Sequence, residues 1–236
     1  MNKSIMIVGV GGQGTLLASR ILGAALLDCG YDVKVSEVHG MSQRGGSVVT
    51  YVRWGEKVAS PIIEKGEADI ILAFEQLEAA RWLEYLKPDG KIIVNTQQMD
   101  PMPVVMGAAE YPAGVIEAIK AAGADVETLD ALPMAVEAGT AKAVNVVLIG
   151  AMAKNMADVS KEVWLKALRE SVPAKFLELN LKAFETGYNL NGSLSIDNIL
   201  IHLEESQAKA QRHKSPHAAF ALGYYHGVCQ RTNDDN

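Results

Sequence analysis

Two clusters of residue types near the amino terminus of this 236-residue chain are equipped for chemistry. The first is Gly9-Val10-Gly11-Gly12-Gln13-Gly14-Thr15, which has the spacing G-x-G-x-x-G. Glycines at these positions allow a tight turn and close backbone approach to a phosphate, whose charge is favoured by unpaired N–H groups at a helix start. The turn follows the apolar run Ile5-Met6-Ile7-Val8 and precedes an amphipathic pattern from Leu16 to Leu27, so a strand before it and a helix after it are expected. Gly9, Gly11, Gly12, Gln13, Gly14 and Thr15 are therefore candidate cofactor-binding residues. Three readings stay open: a dinucleotide site, a purely structural turn that packs helix on sheet, and a site for another anion. The dinucleotide reading lacks one feature, an unambiguous acid at the end of the second strand to hold a ribose. Glu37 sits near that strand end but belongs to the next motif.

The second cluster is Ser36-Glu37-Val38-His39-Gly40-Met41-Ser42-Gln43-Arg44-Gly45-Gly46-Ser47. Polar side chains at this density are costly to bury unless paired. Gly40, Gly45 and Gly46 let the backbone fold tightly or approach another molecule. Arg44 offers a planar fork for phosphate or carboxylate. Ser42, Gln43 and Arg44 join the candidate binding residues. The alternative is a self-satisfied loop, with Glu37 and Arg44 paired and His39 bonded to backbone. A Ser–His–acid triad is disfavoured because no nucleophile elbow accompanies it, and no catalytic residue is assigned.

Strand and helix signals alternate around these loops. Strands are expected at 5–8, 33–38, 47–53, 68–74, 91–96 and 125–129, with a short return strand at 58–63. Helices are expected at 15–29, 75–85, 115–122, 139–156, 160–170 and 173–186, with turns at 54–57 and 87–90 and an irregular stretch over 97–114. The order implies an α/β fold: a Rossmann-like, mostly parallel sheet flanked by helices, with helices at the C-terminal end. Such sheets bind ligands outside the carboxyl ends of their strands, where both special loops fall. The stretch from Ala143 to Ala153 is the longest apolar one, too short for a bilayer and read as a buried helix.

Composition narrows the function classes. Apolar residues are 49% and aromatics 6%, the make-up of an aliphatic α/β core, and the net charge of −6 disfavours nucleic acid and anionic membranes as partners. The two cysteines, Cys29 and Cys229, form no C-x-x-C pair. Roughly four clustered ligands would be needed for a structural zinc or an iron–sulfur cluster, so no metal or redox cofactor is assigned to this chain alone. The absence of a disulfide framework favours a reducing compartment, the cytoplasm. After Tyr188 the composition shifts. Residues 189–236 are expected to form an extension that is helical in part with a disordered end, carrying His202, His213, His217 and His226. The i,i+4 pair His213/His217 lacks a third ligand and is read as a solvated face. The Ile196, Ile199, Leu200, Leu203 stripe is read as a cap on the preceding domain.

The glycine turn and the Glu37-Val38-His39-Gly40-Met41-Ser42-Gln43-Arg44-Gly45-Gly46 run together resemble the gamma component of the 2-oxoacid:ferredoxin oxidoreductases. The likeness is to the form found as the small, beta subunit in the indolepyruvate branch. It extends from about Lys3 to Tyr188, giving a gamma-type domain at 1–188, and includes the strand at Ala68-Asp69-Ile70 and the helix Asn145-Val146-Val147-Leu148-Ile149-Gly150. The resemblance implies a subunit without the catalytic centre, inactive when isolated. Its complex would convert a 2-oxoacid and coenzyme A to an acyl-coenzyme A and carbon dioxide, with electrons passing to ferredoxin. It implies thiamine diphosphate, magnesium, iron–sulfur clusters and coenzyme A in the complex, with the thiamine diphosphate and clusters on a larger partner subunit. The glycine turn and Ser42-Gln43-Arg44 would then contact that partner or coenzyme A phosphates, with a second copy of this chain as another occupant of the same face. The competing expectation is an independent NAD(P)- or nucleotide-binding Rossmann enzyme.

Overall fold

Alternation along the central strands sets the architecture. In β1 (Lys3–Val10), Ile5 and Ile7 enter one apolar cluster, while Met6 and Val8 enter another. The same period-two division holds in β4 (Ala68–Ala73), where Ile70 and Leu72 oppose Ile71 and Ala73. A strand buried on both faces needs helices on both. The computed structural model, which describes residues 2–37 and 45–190, supplies them. The described residues lie within one compact unit, Met1–Ser193.

The sheet has six strands in the order β2-β3-β1-β4-β5-β6, with β2 at Asp32–Glu37, β3 at Ser47–Gly55, β5 at Leu86–Asn95 and β6 at Asp125–Leu129. The pairs β1–β4, β4–β5 and β5–β6 are parallel. β3 runs antiparallel to both β1 and β2. The mostly parallel α/β sheet is thus present, with one reversed strand wedged between the first two.

One face carries α1 (Thr15–Asp28), with α5 (Ala131–Ala138), α6 (Val144–Lys154), α7 (Lys161–Ser171) and α8 (Leu177–Tyr188). The other carries α2 (Gln76–Arg81) and α4 (Val115–Ala121), and α3 (Met102–Val105) is a single short turn. Helix α6 is buried from Asn145 through Ala153, as its uniformly apolar sequence requires. Helix α7 places Trp164, Ala167 and Leu168 in the same core as α1. Fully burying a side chain such as Leu168 contributes about 2 kcal/mol.

Several local expectations are corrected. Residues 58–63 form no strand. Val58 N–H donates to Asp32 Oδ2 at 2.8 Å, and Ile62 O accepts from Arg53 at 2.6 Å, so side chains take the place of a ladder. Strand β3 runs on through Trp54 and Gly55, which were expected to turn. The turn expected at 87–90 is a bulge inside β5: Ala68 pairs with Leu86 and Ile70 with Lys91, so extra residues loop out between them. The helix expected at 75–85 ends at Arg81 and continues as a 3₁₀ turn, Leu83–Tyr85. Helix α5 was not anticipated. The long helix expected at 139–156 begins later, because Gly139 (φ 127°) closes α5 and Thr140 caps a 3₁₀ turn, Ala141–Ala143, before α6.

Candidate functional site

The carboxyl ends of β1, β4, β5 and β6 face the loops that carry most of the described polar groups of interest. The glycine turn leaves β1 there. Gly11 N–H donates to Gly46 O at 2.8 Å, and Gly45 N–H donates to Gly11 O at 3.1 Å. These two bonds continue the β1–β3 ladder beyond Val10–Ser47. They tie the glycine turn to the residue that follows Arg44 in the chain. The two motifs seen in the sequence therefore meet at Gly11. Ser42, Gln43 and Arg44, with Val38 to Met41, lie outside the described residues, as does the tail from Asn191, including its four histidines.

The remaining candidates divide into support and opening. Gln13 turns inward: its Oε1 accepts from Val10 N–H at 2.7 Å, and its Nε2 donates to Phe74 O at 3.1 Å and Gln97 Oε1 at 3.4 Å. It ties the turn to the ends of β4 and β5. Gly9 makes room for it, since a Cβ there would lie 2.8 Å from Gln13 Oε1 and 2.9 Å from Phe74 Cβ. Gly14 (φ 87°) caps α1, and a Cβ on it would lie 2.6 Å from Asn145 Nδ2. A Cβ on Gly12 (φ 103°) would meet nothing within 4 Å among the described residues. Thr15 is the buried first residue of α1. The N–H groups of Gly12, Gly14 and Thr15 have no backbone acceptor among the described residues, and no side chain caps α1. Unpaired donors at the start of a 14-residue helix suit an anion.

Residues that the sequence reading did not select complete this edge. Asn95, fully buried, donates to Phe74 O at 3.1 Å and Gln97 Oε1 at 3.3 Å, and its Oδ1 accepts from Ala131 N–H at 3.1 Å. Asn145 Nδ2 reaches Gly14 O at 3.4 Å from α6. Glu75, 1% exposed, is the N-cap of α2. Its Oε2 accepts from Glu78 N–H at 2.9 Å, and its Oε1 accepts from Met99 N–H at 3.2 Å and from the Tyr111 hydroxyl. Burial, then the bond to Glu75 and its charge, pushes the Tyr111 phenol well above its usual range. The available signal was an Asn, Gln or Glu placed directly after an apolar strand, or alone within an apolar helix.

The wedge of β3 bears on the dinucleotide reading. Glu37 ends β2, which is two strands from β1, or about 10 Å across the sheet. A dinucleotide fold sets its ribose acid on the strand beside the first. Here Glu37 Oε1 accepts from the Ser19 hydroxyl at 2.5 Å, beside an open cavity of about 320 Å³ lined by Ser19, Arg20, Val35 and Glu37.

Residues 4–190 match the family model described as pyruvate ferredoxin/flavodoxin oxidoreductase. The chain belongs to that family. Among its relatives, the indolepyruvate oxidoreductase subunit IorB of Thermococcus kodakarensis is 44% identical over 190 residues, covering 78% of this chain and 93% of that one. The subunit of the same name from Archaeoglobus fulgidus is 38% identical over 192 residues, covering 80% and 95%. Among solved structures, the gamma subunit of a keto/oxoacid ferredoxin oxidoreductase from Geobacter sulfurreducens superposes with a TM-score of 0.59 at 26% identity, covering 79% of this chain and 96% of that one.

The cofactors of this oxidoreductase family can be tested against the described residues. Cys29 is half-buried, and burial followed by the charge of Asp28 pushes its thiol up, away from the thiolate that binds iron or zinc. Among the described residues, no group of three or more His, Cys, Asp or Glu is placed to hold a metal ion. The described residues hold one cysteine, Cys29, and so do not by themselves supply the clustered thiolates of an iron–sulfur cluster. The Gly12, Gly14 and Thr15 N–H groups are donors of the kind that suit a phosphate. No helix among the described residues is long and apolar enough to cross a membrane.

Proposed function

We propose that this chain is the small subunit of an indolepyruvate-type 2-oxoacid:ferredoxin oxidoreductase and works with a larger subunit in the cytoplasm. In the complex, an arylpyruvate and coenzyme A become an acyl-coenzyme A and carbon dioxide. The two electrons removed pass to ferredoxin. Thiamine diphosphate, magnesium and iron–sulfur clusters, held by the partner, supply the decarboxylation and electron transfer. This chain contributes a shaped surface: the Gly12, Gly14 and Thr15 amides at the start of α1, with Ser42-Gln43-Arg44 from the adjoining loop, meet coenzyme A phosphate or the partner at that point. Residues 1–188 are the working domain and 189–236 an extension of it. The observation that supports the site is the pairing of Gly11 with Gly46 at 2.8 Å and with Gly45 at 3.1 Å, since Gly45 and Gly46 directly follow Ser42-Gln43-Arg44 in the chain. The family relationship supports the reaction.

The test uses the reconstituted complex with indolepyruvate and a ferredoxin or dye acceptor. Arg44→Ala removes a charge-assisted contact and should raise the KM for coenzyme A about 10-fold, equivalent to about 1.4 kcal/mol, with a smaller change in kcat. Unchanged coenzyme A kinetics and an unchanged affinity between subunits would remove Arg44 from the site. Tight NADH binding by the isolated chain would favour the nucleotide-enzyme reading instead.

A further inference from the structure

Three large apolar side chains stand out on one short stretch of chain: Met102, Val105 and Met106 are 62%, 64% and 68% exposed. Other exposed apolar residues, such as Leu27, Ile62 and Phe176, are scattered over separate elements, as on any protein surface. The three form the outer face of a loop that leaves the carboxyl end of β5, the edge that also carries the glycine turn.

The loop is held rather than loose. Met99 N–H and the Tyr111 hydroxyl bond the same oxygen, Oε1 of buried Glu75, so one carboxylate closes both ends. Within it, Pro101 O accepts from Val104 and Val105 N–H at 2.9 and 3.1 Å. Met102 O accepts from Met106 at 2.9 Å, and Pro103 O accepts from Ala108 at 2.8 Å. Pro101, Pro103 and Pro112 restrict it further. Compact surface loops with closed ends are frequently functional, and a face ordered before binding loses little entropy on docking. The loop also couples to the site: Gln97, two residues before Met99, accepts the Gln13 side chain at 3.4 Å.

Charge selects the occupant. From Ile92 to Ile119 the charged residues are Asp100, Glu110 and Glu117, all exposed, with no Lys or Arg among them. A symmetric contact between two copies would set this patch against itself and bring Asp100 and Glu110 against the same acids, which repel. An anionic membrane or nucleic acid is opposed by the same charges. The complementary surface is an apolar recess rimmed by Lys or Arg.

We propose that the Met99–Tyr111 loop docks this chain onto the larger subunit, with Met102, Val105 and Met106 entering an apolar recess bordered by basic residues that face Asp100 and Glu110. This rests on the subunit reading given above. Binding of the purified larger subunit to the full chain tests it. The Met102→Ser/Val105→Ser/Met106→Ser variant should weaken the complex by ~100-fold or more, since central apolar anchors dominate interface energies. Its melting curve should match wild type, because the three side chains are exposed. Asp100→Lys/Glu110→Lys, which leaves the apolar face intact and guards against misfolding of the first variant, should slow association and reduce or reverse its salt dependence. Wild-type affinity and association kinetics in both variants would overturn the proposal. So would a triple variant that leaves the two-subunit complex intact but breaks self-association of this chain, since the face would then belong to a second copy. A wild-type chain that does not bind the larger subunit at all would instead overturn the subunit reading itself.

Discussion

At Gly150 a methyl group would lie 2.2 Å from Phe184 O, in the seam where α6 meets α8; at Gly12 it would meet nothing within 4 Å among the described residues. Gly187 repeats the first case from the other side of the seam, 2.0 Å from Val147 O. Both regions depend on glycine, for opposite reasons. In the helix seam, glycine lets two backbones touch, and the space is filled. On the sheet edge, glycine gives a backbone conformation that leaves N–H groups uncovered, and the space is open. The first arrangement is what a scaffold needs. The second is what a surface kept for another molecule needs. Gly14 lies between them, with a left-handed φ of 87° like the turn and a close neighbour, Asn145, reaching across from α6.

Substitution separates these roles, beginning with the largest effect. Gly150→Ala cannot be accommodated by a side-chain shift, because its neighbours at 2.2 and 2.8 Å are backbone atoms of Phe184 and Tyr188. Forcing the helices apart should cost about 3 kcal/mol, read as a fall in the denaturant midpoint. A loss under about 1 kcal/mol would show that the seam gives way easily. At the turn, Gly14→Ala combines φ strain with displacement of the Asn145 amide and should cost about 2 kcal/mol. Gly12→Ala carries the strain alone and should cost about 1 kcal/mol. Equal losses at the two positions would mean that Asn145 does not brace the turn.

Tyr111→Phe should have an effect as small as that of Gly12→Ala, about 1 kcal/mol at neutral pH, by removing one hydrogen bond to Glu75. Its signature is in the pH dependence. The folded phenol is held above its ordinary value of 10.0, first by burial and then by the bond to Glu75. The folded state therefore keeps the proton more tightly than the unfolded state. The stabilisation is complete below pH about 10 and is lost progressively as pH rises beyond it. Wild type should thus lose stability more steeply than Tyr111→Phe in that range. Parallel curves would remove Tyr111 from the closure of the Met99–Tyr111 loop.

Local signals in the sequence were read correctly where the cause was local. Strand β6 falls at Asp125–Leu129 as its alternating pattern predicts, and α1 starts at Thr15 and stops before Gly30, whose φ is 84°. Helix α5, Ala131–Ala138, is short and carries a proline, so its residues give no strong helical signal. Pro133 is its third residue, within the first turn, where a missing N–H costs nothing. The bulge in β5 was missed because Lys87-Pro88-Asp89-Gly90 has the composition of a turn between elements. The place of β3 between β1 and β2 depends on pairing between distant segments, which no window of sequence displays. The placing of Gly9 to Thr15 between the end of β1 and the start of α1 was legible from spacing alone. Gln13 was selected as a ligand contact; that its side chain braces the turn was not legible, because its partners Phe74 and Gln97 lie far along the chain. Glu75 escaped notice for the same reason, since Met99 and Tyr111 are brought to it only by the fold.

The most direct measurement is turnover of indolepyruvate with coenzyme A and an electron acceptor by this chain alone, by the larger subunit alone, and by the two together. The account predicts a colourless, inactive isolated chain and coenzyme A-dependent turnover that requires both subunits. A purified lone chain that oxidises the 2-oxoacid or retains a redox group, or a larger subunit fully active without it, would contradict the account.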